Sequence, residues 1–287
     1  MHILVTGSKG QLGNEIQAIA SKHPQYKFHF TDIEDLDISN EKDINAYFQK
    51  HQFNCVINCA AYTNVDKAES EKKLAFKINV EAVKYLAKAC SRFDTGLIHI
   101  STDYVFDGKN YRPYRETDFT NPQSVYGESK LEGEEMIEEF AKTAIIIRTS
   151  WLYSSYGNNF VKNMLKYGKE RDELNVVYDQ IGSPTYAADL AEMIIKNLQE
   201  LKWIQGTHIY HFANEGACSW YDFTKEIMDI ANIDCKVNPI ETRDYPLPAR
   251  RPSYSIFNKA KLKDGFEDVE IPYWRDSLKV CLKKILS

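Results

Sequence analysis

The sequence contains no apolar run approaching the ~20 residues needed to cross a bilayer, so no spanning helix is expected in its 287 residues. Its opening, Met1-His2-Ile3-Leu4-Val5-Thr6-Gly7, lacks a charged leader, a long apolar core and a small-residue cleavage site. It does not read as a signal peptide, and a cytoplasmic protein is expected. The cysteines Cys55, Cys59, Cys90, Cys218, Cys235 and Cys281 include no C-x-x-C pair. They read as reduced packing residues, and no metal site is expected. A net charge of −5 with no basic block points away from nucleic acid. Internal repeats and low-complexity tracts are also missing. The remaining composition, 43% hydrophobic and 27% charged, suits a globular protein of one large or two modest domains.

The first segment is a short β-branched run from His2 to Thr6, read as a buried strand. Gly7-Ser8-Lys9-Gly10-Gln11-Leu12-Gly13 follows at once, and residues Asn14 to Ser21 have helical character. A strand, a glycine-rich turn and a helix form a nucleotide-binding context. Gly7 permits the turn, Gly10 lets a pyrophosphate approach the helix N-terminus, and Gly13 lets helix lie close on strand. The spacing is G-x-x-G-x-x-G rather than G-x-G-x-x-G. A second strand from Tyr26 to Thr31 ends at Asp32, where an acidic residue suits an adenosine ribose and favours NAD. Lys9 in the loop would tolerate the 2′-phosphate of NADP, and Asp32 also reads as an ordinary strand-end turn residue. A helix is expected from Glu41 to Lys50, capped by Ser39 or Asn40.

Cys55 to Tyr62 reads as a third strand running into the small residues Ala60 and Ala61, which leave room for a flat cofactor. Asn79 either caps the helical run Val80 to Cys90 or braces the sheet. A fourth strand, Gly96 to Ser101, delivers Thr102 and Asp103 to its carboxyl end, where a hydroxyl can meet a substrate carbonyl. Tyr126 and Lys130 sit at i and i+4 at the start of a helix, on one face. An ammonium beside a phenol favours the phenolate, so Lys130 is expected to bring Tyr126 below its free value of about 10. Ala144 to Thr149 is a fifth, nearly all-aliphatic strand of the kind found in parallel sheets covered on both faces. Strands alternating with helices make the expected fold class α/β, a doubly wound parallel-sheet Rossmann fold.

The character shifts after Trp151. A smaller mixed α/β C-terminal substrate lobe is expected over 151–287, after a dinucleotide-binding domain over 1–150, with some later segments returning to the first domain. Helices are expected over Asn159 to Lys169, Tyr186 to Leu201, and Ser219 to Ala231 with Ser219 as N-cap. Strands are expected over Leu174 to Tyr178 and Thr207 to Phe212. A last helix runs from Pro272 to Leu286, with proline in its first turn. Arg243, Arg250 and Arg251 flank a proline-rich loop and read either as phosphate partners or as solvated cations.

These motifs in this order resemble the extended short-chain dehydrogenase/reductase superfamily. The narrower set resembles the dTDP-4-dehydrorhamnose reductase family across nearly the whole chain. It comprises Gly7 to Gly13, Ala60 to Glu69, Ser101 to Gly108, Arg148 to Tyr153, Asp179-Gln180-x-Gly182-x-Pro184-Thr185 and Arg251-Pro252. The resemblance implies reduction of the C4 ketone of a dTDP-sugar, dTDP-4-dehydro-L-rhamnose, by NADH or NADPH. It implies that Gly7, Gly10, Gln11, Leu12, Gly13, Asp32, Asp37, Ile38, Ala60, Ala61, Tyr62 and Thr63 line the dinucleotide together with Tyr126 and Lys130. Thr102, Tyr126 and Lys130 would be catalytic, and Thr102, Asp103, Tyr126 and Trp151 would meet the sugar. Some members hold Mg2+ at a homodimer contact through glutamates. Glu15 matches one such position, but Lys283 and Lys284 stand where a carboxylate would be needed, so no such metal is expected. Two alternatives remain open: another enzyme of this superfamily on a nucleotide sugar, a 4-epimerase or a different deoxysugar reductase, and a non-catalytic dinucleotide-binding regulatory subunit.

Overall fold

The computed structural model describes residues 1–201, 205–266 and 269–287. Its first part alternates β1 (His2–Thr6), α1 (Gln11–Ala20), β2 (Lys27–Thr31), α2 (Glu41–His51) and β3 (Cys55–Asn58). Two short helices follow, α3 (Val65–Ala68) and α4 (Lys72–Phe76), then a π-helical turn at Lys77–Glu81. Next come α5 (Ala82–Arg92), β4 (Gly96–Thr102), α6 (Val125–Phe140) and β5 (Thr143–Thr149). Beyond these lie β6 (Leu152–Tyr153), α7 (Phe160–Glu170), β7 (Glu173–Val177), β8 (Ile181–Gly182), β9 (Thr185–Tyr186), α8 (Ala187–Lys196) and α9 (Leu198–Leu201). The chain closes with β10 (Gly206–Phe212), β11 (Cys218–Ser219), α10 (Trp220–Ala231), β12 (Lys236–Ile240), α11 (Ala260–Gly265) and α12 (Trp274–Leu286).

Six strands form one parallel sheet in the order β10-β5-β4-β3-β1-β2. Alternate side chains of each strand enter opposite layers, as the two-residue period requires. Ile3, Val5, Ile57, Ile98 and Ile145 face the layer containing Leu12, Ile16, Leu190 and Ile194 of α1 and α8. Leu4, Val56, Leu97 and Ile146 face Ile44, Phe48, Leu86 and Ile137 of α2, α5 and α6. Burial on both faces explains why these strands are continuous apolar runs. The chain leaves β1 toward β2 on one side and crosses to β3 on the other. The crevice at the carboxyl ends of β1 and β3 is therefore the switch point where doubly wound sheets take ligands.

Residues after 150 divide between two places. β10 joins the sheet beside β5, in register from Gly206↔Thr143 to Phe212↔Thr149, and α8 lies on α1. A separate core of Val161, Leu165, Leu174, Phe223, Ile227, Val237, Trp274 and Leu278 unites α7, α10, α12 and the parallel pair β7–β12.

Several element boundaries differ from the sequence reading. α1 starts at Gln11, directly on Gly10, rather than at Asn14. The single helix expected over Tyr186 to Leu201 breaks at Asn197, whose side-chain amide donates to the Met193 carbonyl at 2.9 Å and ends α8. The last helix starts at Trp274, because the Pro272 carbonyl is taken by the Glu215 backbone N–H at 2.9 Å. Asn40 and Ser219 cap α2 and α10 as expected; Ser219 forms a reciprocal capping box with Asp222. Among the described residues no helix is long and apolar enough to cross a membrane.

Candidate active site

The glycine loop is shaped for close approach. Gly7 has φ +65°, and a Cβ there would lie 2.6 Å from the Ala60 nitrogen. A Cβ on Gly13 would lie 2.5 Å from the Gly7 carbonyl oxygen and 2.6 Å from Ser8 Cα. Side chains at either position would force backbone apart, so the cradle exists only with glycine. Gly10 is the N-cap of α1 and offers no capping side chain. The first N–H groups of the helix therefore remain available to an anion. This is the donor set a dinucleotide pyrophosphate requires, and these residues fit that cofactor.

Other residues expected along the dinucleotide are placed unevenly. Asp32 accepts the Lys9 backbone N–H at 2.9 Å and the Ile33 N–H at 2.9 Å, which closes the loop from the end of β2. The Lys9 ammonium pairs with Glu34 at 2.8 Å. Leu12 and Ile38 are buried in the two sheet layers, so each has only backbone to offer a ligand. Asp37 accepts both the backbone N–H and the hydroxyl of Ser39; these bonds hold its carboxyl below the usual range. Gln11 reaches toward the second core, accepting from Asn159 at 3.0 Å. Tyr62 donates its hydroxyl to Glu71 at 2.6 Å.

Asn79 resolves an alternative left open by the sequence. It lies in the π turn, where it accepts the Tyr62 N–H at 2.9 Å and donates to the Tyr62 carbonyl and to Ser129 Oγ. It braces the segment after β3 against α6 and does not cap α5. A Cβ on Gly133 of α6 would lie 2.2 Å from the Asn79 carbonyl, so this contact also depends on a glycine.

The chemistry-bearing residues converge at the carboxyl end of β4. Ser124 caps α6 by accepting the Gly127 N–H at 3.2 Å, which fixes the helix start and presents Tyr126 and Lys130. Tyr126 is 9% exposed, and its ring meets Tyr104 edge-on with centroids 5.4 Å apart. Thr102 ends β4 and donates to Asp103 Oδ1 at 3.0 Å. The remaining carboxylate oxygen, Asp103 Oδ2, is buried with no partner. Burial pushes Asp103 up to about 6, partly offset by the bond from Thr102.

One expectation fails here. Lys130 does not bring the Tyr126 phenol down. Burial pushes Tyr126 up to about 12, with Thr102 pulling it down and Asp103 pushing it up. The Lys130 ammonium nitrogen is instead directed into the sheet, 2.8 Å from the Ile100 carbonyl oxygen and 3.1 Å from His99 Nε2. The i, i+4 spacing puts both side chains on one helix face, but the Lys130 nitrogen is bound by His99 and Ile100. Burial lowers Lys130 to about 8, against the pull of Glu134.

Trp151 is held in the left-handed region at φ +49°. Such strain in a non-glycine residue persists only where its surroundings over-determine it. Its carbonyl accepts the Thr185 N–H at 3.2 Å, and its indole stacks on Trp220 at 3.5 Å and 8°. A Cβ on Gly182 would lie 2.6 Å from the indole of Trp151. A flat aromatic wall results, and Trp220 is a member that the sequence reading missed.

Also missed was the polar support beneath the site. Asn58 accepts from Thr6 Oγ1 at 2.7 Å and meets His99 Nδ1 at 2.9 Å. Glu134, one turn beyond Lys130, takes a forked contact from Arg148 of β5, 2.6 Å at its shortest, and a hydroxyl bond from Ser101. The only sequence signal was a polar or charged residue inside an apolar strand. Of the arginines after Asp244, Arg251 is committed to Asp66 through two bonds, one of 2.7 Å; it is not a free phosphate ligand. Glu15 is buried, accepts from Ser154 at 2.7 Å and has Lys284 at 3.6 Å. Among the described residues no cluster of three or more His, Cys, Asp or Glu side chains is placed to hold a metal.

Residues 1–287 match the family model described as the RmlD substrate binding domain. The chain is 41% identical over 288 residues to the dTDP-4-dehydrorhamnose reductase of Aggregatibacter actinomycetemcomitans, covering 96% of this chain and 97% of that one. The solved dTDP-4-dehydrorhamnose reductase of Clostridium acetobutylicum matches with a TM-score of 0.94 and 44% identity, covering 100% of each chain. The Bacillus anthracis reductase, solved in complex with NADP, matches with a TM-score of 0.93 and 40% identity over 99% of each chain. With this full-length agreement, the chain belongs to the dTDP-4-dehydrorhamnose reductase family.

Proposed function

We propose that this protein is an NAD(P)H-dependent reductase that converts dTDP-4-dehydro-L-rhamnose to dTDP-L-rhamnose at the sugar C4 ketone, a step in dTDP-rhamnose biosynthesis. The observation that carries this reading is the meeting of a protonated, buried Tyr126 with Thr102 at the end of β4, in a chain whose relatives of that name match it end to end. Gly7, Gly10, Gly13 and the α1 N-terminus would hold the dinucleotide pyrophosphate, and Ala60, Ala61, Tyr62 and Thr63 would line its path. NADH or NADPH, when bound, supplies the hydride. Tyr126 remains protonated at neutral pH and can give its proton to the alkoxide oxygen that develops at C4. Thr102, its hydroxyl turned away from Asp103, would donate a hydrogen bond to the same oxygen, placing a dipole where charge appears. Lys130 would bond the nicotinamide ribose. Trp151, Asp103 and Tyr126 would bound the sugar.

A cytoplasmic location belongs to the same reading, supported by free thiols at Cys59, Cys90, Cys218, Cys235 and Cys281. So does association as a homodimer, which light scattering of the 33.2 kDa chain would check. The deciding experiment incubates the protein with dTDP-4-dehydro-L-rhamnose and NADPH or NADH. Stoichiometric loss of reduced nicotinamide with formation of dTDP-L-rhamnose is expected. A 4-epimer formed without net consumption of reductant, or no turnover at all, overturns the assignment.

A further inference from the structure

The two walls of the site belong to different parts of the chain, and a polar clasp joins them. Tyr126 packs with Val65, Ala68 and Tyr104 in a small apolar cluster that unites α3 with the start of α6. Glu69, at the end of α3, accepts the Val125 N–H at 2.9 Å, so α3 also fixes the residue before Tyr126. Trp151 forms the other wall. Its indole lies close against Gly182 of β8. β8 in turn is bonded to the segment after Arg251: the Ile181 N–H donates to the Ser253 carbonyl at 2.9 Å, and the Ser255 N–H donates to the Ile181 carbonyl at 2.8 Å. Asp66 of α3 reaches across to this segment. It accepts from both terminal nitrogens of Arg251, at 2.5 and 2.7 Å, and from the Ala249 backbone N–H at 3.2 Å. Arg251 also donates to the Ala249 carbonyl at 2.8 Å, so residues 249–251 are gathered onto one carboxylate.

We propose that Asp66 is a positioning residue: clasped to Arg251, it sets the gap between the Tyr126 wall and the Trp151 wall, and so controls how tightly the sugar nucleotide is held. This rests on the reductase reading of the site. A forked guanidinium–carboxylate pair fixes direction as well as distance, which a point-charge contact does not. α3 is only four residues long, too short to keep its place by helix formation alone. Its position follows the bonds at its two ends, Asp66 to Arg251 and Glu69 to Val125. The far end of the Arg251 segment is tied as well. The Thr242 N–H and hydroxyl both donate to Asp179, the hydroxyl at 2.6 Å. Residues 242–251 therefore run from the end of β12, in the second core, to α3. Among the described residues, neither Asp66 nor Arg251 bonds to the glycine cradle, so the clasp bears on one ligand more than the other. The Arg251 and Asp66 side chains are 18% and 33% exposed. Solvent screens such a pair, and its loss should shift the walls without unfolding the chain.

The test uses the intact protein with Asp66→Asn, which keeps the side chain's shape and removes its charge. Trp151, carrying a fluorinated indole and assigned by comparison with Trp151→Phe, is first followed by fluorine NMR without ligand. Its resonance is expected to move or split in the variant; an unchanged resonance overturns the proposal. Binding is then measured by calorimetry. The Kd for dTDP-L-rhamnose should rise about 5-fold or more, and KM for dTDP-4-dehydro-L-rhamnose should rise with it, while kcat, the NADPH Kd and the urea midpoint change little. An unaltered dTDP-L-rhamnose Kd overturns the proposal. So does an equal loss of both ligands together with a lowered urea midpoint, which is a merely structural role. Arg251→Gln, which removes the other half of the clasp, should give the same pattern. The double variant should be no worse than the worse single one, since each change breaks the same pair; additive losses mean independent roles and overturn the proposal. A wild-type protein that neither binds nor reduces the dTDP-sugar sinks the reductase reading instead, and the fluorine resonance still decides the clasp.

Discussion

Two polar clusters meet at the carboxyl edge of the sheet and differ in how completely they are satisfied. The inner one, Asn58, His99, Glu134, Arg148 and Ser101, is closed by protein partners apart from one terminal nitrogen of Arg148, and Lys130 links it to the outer one through His99. The outer one, Thr102, Asp103, Tyr126 and Trp151, is open: Asp103 Oδ2 has no partner, and Trp151 sits in a strained backbone conformation. A buried polar group without a partner costs free energy. The inner cluster therefore reads as scaffold, and the outer one as a surface completed by ligand.

If the comparison is right, substitutions in the inner cluster damage stability and those in the outer cluster damage turnover. The largest effect is expected for Glu134→Ala, which leaves the buried Arg148 without its partner. Removing one member of such a pair costs about 3–5 kcal/mol, measurable by urea unfolding. A loss within about 0.5 kcal/mol would mean the inner cluster is not scaffold. Tyr126→Phe should leave folding and NADPH binding intact while kcat falls by roughly 10²-fold or more, the usual scale for losing a general acid. Near-normal turnover would remove Tyr126 from the outer cluster's chemistry.

Asp103 sharpens the comparison through pH. Its folded value of about 6 lies above the ordinary value of about 3.9. The folded chain therefore holds this proton more tightly, and the resulting stability is present below about pH 4 and lost as pH rises through about 6. Asp103→Asn stays neutral throughout. Relative to wild type, its stability should rise by about 2 kcal/mol between about pH 4 and 8, read from unfolding curves at each pH. A flat difference would show that Asp103 does not bear the burial penalty. The smallest effect is expected for Trp220→Ala, which removes the plane behind Trp151. Losing a stack worth about 0.5–1.5 kcal/mol should raise KM for the sugar nucleotide about 2- to 10-fold with kcat little changed. A fall in kcat with KM unchanged would place the indole pair nearer the reacting atoms.

Much of the outer cluster was legible in the sequence because its signals are local. A glycine at a forced turn, a hydroxyl at a strand end, and a tyrosine and lysine one helical turn apart each announce themselves within a few residues. The inner cluster was not. Asn58 and His99 lie 41 residues apart and touch only because β3 and β4 pair in register, Asn58 opposite His99. Glu134 and Arg148 look like a surface acid and a strand cation until α6 is laid over β5. Arg251 was read as either a phosphate ligand or a solvated cation, and pairing with Asp66, 185 residues away, decided against both.

By itself the sequence determined the alternation of apolar strands and helices, the nucleotide loop, and the residue types needed for carbonyl reduction. Strand period and glycine geometry act between near neighbours, so they survive without a fold. Tertiary structure alone decided the protonation chemistry. Burial raised Tyr126 and Asp103 and lowered Lys130, and the direction of the Lys130 side chain put His99, not Tyr126, at its nitrogen. Desolvation and hydrogen-bond direction belong to the packed state, where residues distant in sequence supply each other's dielectric and donors.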